Sequence, residues 1–400
     1  MTRILAIETS CDDTGVSIID INTDATGITS GTILAHKVSS QVAEHRKWGG
    51  VVPNLAKEEH QRRLVPLLKD ALTEAELGIQ NKESNRHDSQ FTIHNSFLDR
   101  EPILAEEVTR FLPTIETPAI DAIAVTYAPG LEPALWVGIN FAKALSLAWQ
   151  KPLIPTHHME GHIYSSLLKN IRIDLGGTKE FEITKIQFPA IVLLASGGHT
   201  ELLAMRSIGS YEHVGKTRDD AVGEAFDKVA RTLGLPYPGG PEISRCADLF
   251  RRADKKPTIT LPSPMLHSDD FDFSFSGIKT AVAYLVRDLE KLTDEMRNEI
   301  AYVFEEAVTK VIVSKTARAL EHYNTNTLIT GGGVMANTTI RGRLEEISNI
   351  QIHLPEKWLT GDNATMIALA SYFNPDRALE PKIELLNTIK ATGTLALCAR

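Results

Sequence analysis

Apolar and polar positions along the chain group into short continuous runs alternating with longer stretches of helical period. Residues 3–8 (Arg-Ile-Leu-Ala-Ile-Glu) read as a buried strand, and Val16 to Ile21 as a second. The small polar turn Thr9-Ser10-Cys11-Asp12-Asp13-Thr14-Gly15 joins them, so the pair predicts a hairpin, and Gly31 to Val38 completes a meander. From about Asn54 the period changes: Leu64, Leu67, Leu68, Ala71, Leu72 and Ala75 recur at three- and four-residue steps and predict a helix. Lys57, Arg62 and Arg63 on its polar side are candidates for a phosphate-backbone contact. Residues 78–117 lose periodicity and read as a polar insertion, with one or two helical turns at Glu106 to Leu112. Ile120 to Val125 is a strand leading through Ala128-Pro129-Gly130 into a helix, and a second polar excursion covers about 170–187.

Pro189 to Ala195, Ser196-Gly197-Gly198-His199-Thr200 and Glu201 to Met205 then repeat the opening pattern of strand, polar turn, strand. Two halves that begin alike predict a duplicated α/β fold with a cleft between the halves, and two facing turns could clamp one phosphate chain. Domains are expected at 1–150 and 151–400, the second carrying the nucleotide and metal motifs and its last helix free to pack back on the first. In the second half, a helix from Arg218 ends at Gly234, and Tyr237 to Pro241 reads as a rigid turn. Phe271 to Lys279 alternates like a half-buried strand, and a helix spans 294–322. The strand Thr327 to Thr330 runs into Gly331-Gly332-Gly333-Val334-Met335-Ala336-Asn337, and Ile350 to Leu354 is a last strand before an apolar helix. A strand ending in glycines ahead of a helix suits a nucleotide, although the spacing fits neither the dinucleotide nor the P-loop signature.

At 400 residues the chain exceeds a single ordinary core, and 42% hydrophobic with 23% charged residues describes globular rather than disordered protein. A net charge of −9 argues against a general nucleic-acid coat while leaving room for a local basic patch. Three cysteines without a C-x-x-C pair support neither a disulfide framework nor a cysteine zinc site. With no signal-peptide core and no membrane-length apolar run, the expected location is cytoplasmic.

The most specific local chemistry lies in Pro155-Thr156-His157-His158-Met159-Glu160-Gly161-His162. On a helix, His158 and His162 share a face one turn apart and can share a divalent metal. A zinc peptidase would need Glu directly after the first His, where Met159 stands; Glu160 lies about 200° round the helix from His158. Asp362, at or near the start of the last apolar helix, is either its N-cap or the third ligand. Two imidazoles and one carboxylate leave open positions for Lewis-acid work, which with the phosphate-type turns predicts metal-assisted group transfer from a nucleotide-activated donor.

Taken in order, the motifs resemble those of the tRNA adenosine threonylcarbamoyltransferases, a family of the sugar-kinase, actin and heat-shock ATPase superfamily. The matching stretches are Ile7-Glu8-Thr9-Ser10-Cys11-Asp12-Asp13-Thr14, Gly49-Gly50-Val51-Val52-Pro53, His157 to His162, and Ala195 to Thr200. They continue with Gly223-Glu224-Ala225-Phe226-Asp227-Lys228, Phe273-Ser274-Phe275-Ser276-Gly277, Gly331 to Asn337, and Asp362-Asn363. The His-His-Met-Glu-Gly-His form is similar to that of the bacterial and organellar branch. The resemblance implies two duplicated actin-like (ribonuclease-H-like) domains. It also implies transfer of the threonylcarbamoyl group of threonylcarbamoyl-AMP to the exocyclic amine of the adenosine 3′ of the anticodon, in tRNAs reading codons that begin with A. Carried over by motif, His158, His162 and Asp362 would hold one divalent metal, iron in most of the family, with zinc the alternative. Leu194, Ala195, Ser196, Gly197, Gly198, Asp227, Gly240 and Asn337 would bind the donor, and Ser10 and Asp13 are phosphate-loop candidates. Partners implied are tRNA, a smaller paralogous subunit and an ATPase as in bacteria, or a second copy in a homodimer. Asp13 in place of Glu, Asn54 after Pro53, and Ala128-Pro129-Gly130 in place of Gly-Pro-Gly depart from the family pattern. An O-carbamoyltransferase using carbamoyl-adenylate on a small metabolite is the alternative within the superfamily.

Overall fold

The computed structural model describes residues 1–77, 97–174 and 177–398, so residues 78–96 of the expected insertion at 78–117 lie outside the described residues. Two compact units emerge, one of Met1–Ala43, Val51–Lys185 and Asp362–Ala399, the other chiefly of Glu44–Gly50 and Ile186–Gly361.

Unit 1 is built on β1 (Thr2–Glu8), β2 (Asp13–Thr23), β3 (Thr29–Ser40), β4 (Ala122–Ala128) and β5 (Leu153–His157). Their order is β5-β4-β1-β2-β3, with β1, β2 and β3 antiparallel and β4 and β5 parallel to β1. The helices of this part are α1 (Pro53–Glu74), α2 (Pro102–Phe111), α3 (Glu132–Trp149) and α4 (His158–Ser165). Three of them carry Pro in the first turn, where its missing N–H costs nothing. The recurring leucines of α1 pack with β1, β2, α2 and α3 around Leu5, Ile18, Leu68, Val108 and Phe141.

The excursion expected at 170–187 is not a loop. β6 (Leu168–Ile173) and β7 (Lys179–Ile183) form a hairpin that extends the sheet beyond β3. It escaped the hydrophobic pattern because an edge strand exposes most of its side chains: only Leu168 of β6 is buried.

Unit 2 has β8 (Ala190–Ala195), β9 (Thr200–Ser207), β10 (Ser210–Lys216), β11 (Thr327–Gly331) and β12 (Gln351–His353) in the order β10-β9-β8-β11-β12. Strands β8, β9 and β10 are antiparallel, and β11 and β12 run parallel to β8. This repeats the five-strand order and sense of unit 1, so the duplicated ribonuclease-H-like fold is present in both. Helices α5 (Val222–Thr232), α6 (Gly239–Arg252), α7 (Ser276–Asp288), α8 (Asp294–His322) and α9 (Thr338–Glu345) cover this sheet. Two readings need correction, and one strand was missed. Tyr237 to Pro241 is not a free turn, because α6 begins at Gly239. The alternating segment 271–279 forms a single bridge between Phe273 and Thr217, and α7 starts at Ser276. Strand β10 had no signal in the pattern, since only Gly215 in it is buried.

The chain then returns to unit 1 as α10 (Ala364–Tyr372). Two glycines decide how near it comes. A Cβ on Gly15 would lie 2.8 Å from the Ala364 backbone nitrogen, and one on Gly161 would lie 2.8 Å from Met366 Cγ. Bare backbone on β2 and α4 therefore seats the start of α10 beside α4. The expected division at 150 shifts accordingly. β5 and α4 belong with unit 1 because β5 hydrogen-bonds to β4, so the histidines stand in unit 1 while the glycine-rich turns stand in unit 2.

Candidate metal centre and donor-site residues

The carboxylate Asp362 sits one residue ahead of the cap of α10. The capping work is done by Asn363, whose extended backbone (φ −157°) lets its Oδ1 accept from the Met366 N–H at 3.0 Å. That leaves Asp362 Oδ1 3.3 Å from Nε2 of both His158 and His162. The two imidazoles stand edge to face with centroids 4.7 Å apart, one turn apart on α4 as their spacing required. One ligand atom from each of the three residues lies within 4.8 Å of the others.

A buried carboxylate behind them was not singled out as a site residue. Glu8, at the end of β1 and wholly buried, presents Oε2 to His158 Nδ1 at 3.3 Å, and Ser10 Oγ lies 3.1 Å from the same nitrogen. Glu8 is itself fixed by the Ser10 N–H at 2.5 Å and the Thr126 hydroxyl. An imidazole whose Nδ1–H faces a carboxylate keeps its Nε2 lone pair for a cation. The available signal was an ionisable residue closing the apolar run Ile-Leu-Ala-Ile of β1.

The electrostatics fit a cation. Burial alone would push the His158 imidazole down, but Asp362 and Glu8 overcome it and hold its pKa up at about 10. Burial pushes Asp362 up, yet the two imidazoles hold it far below the usual carboxylate range. Burial lowers His162, with the neighbouring His158 adding to the effect. His162 Nδ1 has no hydrogen-bond partner among the described residues and its Nε2 meets Asp362 at 3.3 Å without hydrogen-bond alignment, although the side chain is fully buried. An orphaned buried imidazole costs on the order of 1–3 kcal/mol. A divalent ion held by His158, His162 and Asp362 would give one nitrogen of the His162 ring a partner, and the donor set of two nitrogens and one oxygen suits such an ion. Glu160 points away, as the helical angle required: it is buried against Arg377, which donates to it at 2.5 and 3.2 Å.

The phosphate-loop candidates divide. Ser10 is buried with its hydroxyl on His158. Asp13 is half-buried, one of its oxygens has no hydrogen-bond partner among the described residues, and burial together with the charge of Asp362 raises its pKa to about 7. The basic side chains of α1 are engaged: Lys57 lies 3.7 Å from Glu101, Arg62 pairs with Glu58, and Arg63 bonds Glu59 at 2.8 Å.

In unit 2 the donor-site candidates Leu194 to Gly198 lie at and beyond the end of β8, beside its parallel neighbour β11, the kind of place where open α/β sheets bind ligands. Leu194 and Ala195 are buried strand residues. The turn beyond them closes on itself, with Ser196 N–H donating to His199 O at 2.8 Å and His199 N–H to Ser196 Oγ at 3.1 Å. Gly197 and Gly198 are exposed, and a Cβ on either would meet nothing within 4 Å. Gly332 differs: at φ +96°, a Cβ there would fall 2.3 Å from the Ala195 carbonyl, so it lets β11 turn over the end of β8. Asp227 accepts from the Gly239 N–H at 2.6 Å and anchors the start of α6, whose Gly240 has open space at its Cβ position. Asn337 has structural duties, capping α9 through Ile340 N–H at 2.9 Å and donating to Glu305 at 2.7 Å. Glu305, buried completely in α8, also accepts from Ser244 (2.8 Å), Arg251 (2.5 Å) and Thr339 (3.0 Å). This hub had no sequence signal, because a Glu within a long helix reads as a surface charge.

The fold and the triad together define a protein of two ribonuclease-H-like units, one of them carrying a His/His/Asp centre. The family model described as "TsaD: tRNA N6-adenosine threonylcarbamoyltransferase" matches residues 32–83 and 113–369. The Bacillus cereus tRNA N6-adenosine threonylcarbamoyltransferase is 40% identical over 374 residues, covering 92% of this chain and 90% of that protein. Proteins of the same name from Staphylococcus haemolyticus (38% identical; 96% and 94% covered) and Chromobacterium violaceum (39%; 92% and 91%) are similar to it as well. The chain belongs to the tRNA N6-adenosine threonylcarbamoyltransferase family. Among solved structures the likeness is loose: the T.kodakarensis HypF crystal structure aligns at 12% identity and a TM-score of 0.45, over 69% of this chain and 43% of that one.

Proposed function

We infer that this chain is an acyltransferase that moves a threonylcarbamoyl group onto N6 of an adenosine in tRNA. The observation that carries the reading is the meeting of His158, His162 and Asp362 within a chain of this family. The donor is threonylcarbamoyl-AMP, the target is the adenosine 3′ of the anticodon in tRNAs reading codons that begin with A, and AMP leaves. A divalent ion in the triad, iron by family resemblance or zinc, would act as a Lewis acid on a bound carbonyl or phosphoryl oxygen. Glu8 and Ser10 fix the His158 ring with its Nε2 directed at Asp362. Arg377 holds Glu160 off the ligand face of α4. Gly197, Gly198 and Gly240 give a phosphate or nucleoside access to backbone N–H groups, while Asp227 and Asn337 hold the neighbouring helix starts. The carbamoyl-transfer alternative on a small metabolite is not favoured by the family match.

The protein acts in the cytoplasm, and no helix of the described residues is long and apolar enough to cross a membrane. It works with a smaller paralogous subunit and an ATPase, or as a homodimer, and its acidic balance makes partner help with tRNA binding part of the proposal. The test supplies purified chain with threonylcarbamoyl-AMP and unmodified tRNA, with and without bacterial partner proteins, and measures modified adenosine. Formation of the modified base in at least one combination is expected. Failure in every combination, by protein that still binds metal, would overturn the assignment.

A further inference from the structure

The residue before the first metal-ligating candidate has a different task. His157 is buried and caps α4: its Nδ1 accepts from the Met159 N–H at 3.2 Å. Its Nε2 lies 3.1 Å from the Leu395 carbonyl, which can only accept, so Nε2 carries the proton and Nδ1 is left as the capping acceptor. The tautomer that caps the ligand helix is thus set by a carbonyl far along the chain.

Leu395 belongs to a strap that is fastened along its length. Lys143 Nζ donates to Ile389 O at 3.3 Å, Thr392 N–H to Tyr127 O at 3.1 Å, and Gly393 N–H to Glu132 Oε1 at 3.2 Å. Gly393 O accepts from Gly130 N–H at 3.2 Å. The next residue, Leu131, donates to Ser10 O at 2.7 Å, and a Cβ on Gly130 would lie 2.6 Å from that oxygen. Ser10 is the residue whose hydroxyl meets His158 Nδ1. The strap therefore reaches the triad by two routes, one through the cap of α4 and one through the backbone that carries Ser10.

We propose that residues 389–395 form a positioning strap for the metal centre, with His157 as the positioning residue that transmits its hold to α4. The proposal rests on the reading that His158, His162 and Asp362 bind a divalent ion. Because coupling is reciprocal, anything by which the strap favours metal binding is returned as stabilisation of the strap when metal binds.

The experiment measures Zn(II) and Fe(II) affinity of the full chain by chelator competition, alongside thermal unfolding of the metal-free protein. His157→Ala and Thr392→Pro, which removes the Thr392 N–H, are each expected to weaken metal binding about tenfold, the lower end of what outer-shell partners contribute. His157→Asn, whose Oδ1 takes the place of Nδ1, should recover most of the loss due to the missing cap. The double variant His157→Ala/Thr392→Pro should lose less than the product of the two single effects. Full affinity in folded His157→Ala and Thr392→Pro proteins overturns the strap proposal and leaves the metal reading intact. Absence of metal binding by the wild type, or binding unaffected by His158→Ala, overturns both. Should the variants not fold, hydrogen exchange on the wild type decides: metal must slow exchange at the Thr392 and Gly393 amides, and unchanged rates there refute the coupling.

Discussion

The turn between β1 and β2 in unit 1 and the turn between β8 and β9 in unit 2 occupy the same position in the same strand order. Their uses differ. In unit 1 the strand closes on Glu8, and Thr9 and Ser10 are buried, so the turn faces inward and holds a histidine ring. In unit 2 the strand closes on Ala195, and the glycines beyond it lie exposed with nothing near their Cβ positions. One duplicated architecture thus supports a buried polar cluster in one copy and open backbone in the other. The topology supplies the place, and the side chains at the end of the first strand decide whether that place is filled.

The largest expected effect is at the filled turn's client. His158→Ala should reduce tRNA modification by about three orders of magnitude or more and abolish stoichiometric metal binding, read by modified-adenosine assay and metal analysis. Next, Glu305→Ala should destabilise the protein by about 1–3 kcal/mol, because Asn337, Ser244 and Arg251 lose the buried acceptor they share while Arg251 keeps Asp248 and Glu306. Denaturant unfolding with a probe in unit 2 tests this, and a loss below about 1 kcal/mol would deny Glu305 its role as the hub.

Unit 1 holds a histidine that makes it acid-sensitive. His36, half-buried with Nδ1 2.8 Å from Thr365 Oγ1, is pushed down from 6.5 to about 4 by burial and by Lys179 and Lys37. The folded pKa is depressed, so the unfolded chain takes up the proton first. Stability is full above about pH 6.5 and falls as the pH drops toward 4, by at most about 3 kcal/mol. His36→Gln should flatten the change in urea midpoint between pH 7.5 and 5; an equally steep change would assign the sensitivity elsewhere.

Glu8→Gln keeps the size of the side chain but removes the charge behind His158, and should cost about 10–100-fold in metal affinity. The smallest effect belongs to the open turn. Gly197→Ala should alter stability by no more than about 0.5 kcal/mol while raising the KM for the adenylate donor. Gly332→Ala, strained and crowded against Ala195, should destabilise by more than about 1 kcal/mol. Equal effects of the two glycine substitutions on stability would remove the contrast between open and packed backbone.

Much of this was legible in the chain. The meander of β1 to β3, helices α1 and α8, and the repeat of strand, turn and strand follow from local periodicity, which is a property of neighbouring residues. His158 and His162 were legible for the same reason, since four residues on a helix fix their common face. The hairpin β6–β7 was not, because an exposed edge strand needs no apolar pattern. The α6 start at Gly239 was hidden by a Gly-Gly-Pro sequence that reads as a turn; a Cβ at Gly239 would lie 2.5 Å from Ala230, so tertiary packing selects the glycine.

By itself, then, the sequence determined the two-fold α/β pattern, the paired histidines, and through its ordered motifs the family. It left open whether Asp362 was a helix cap or a ligand, and it gave Glu8 no site role and His157 no duty of its own. Those were decided by the tertiary structure. Asn363 takes the cap, bare backbone at Gly15 and Gly161 seats α10 against β2 and α4, and the strap at Leu395 fixes a tautomer on His157. Each depends on groups distant in sequence meeting within hydrogen-bond or van der Waals range. Periodicity carries no information about such meetings, because it records which face a residue takes and not what is packed opposite.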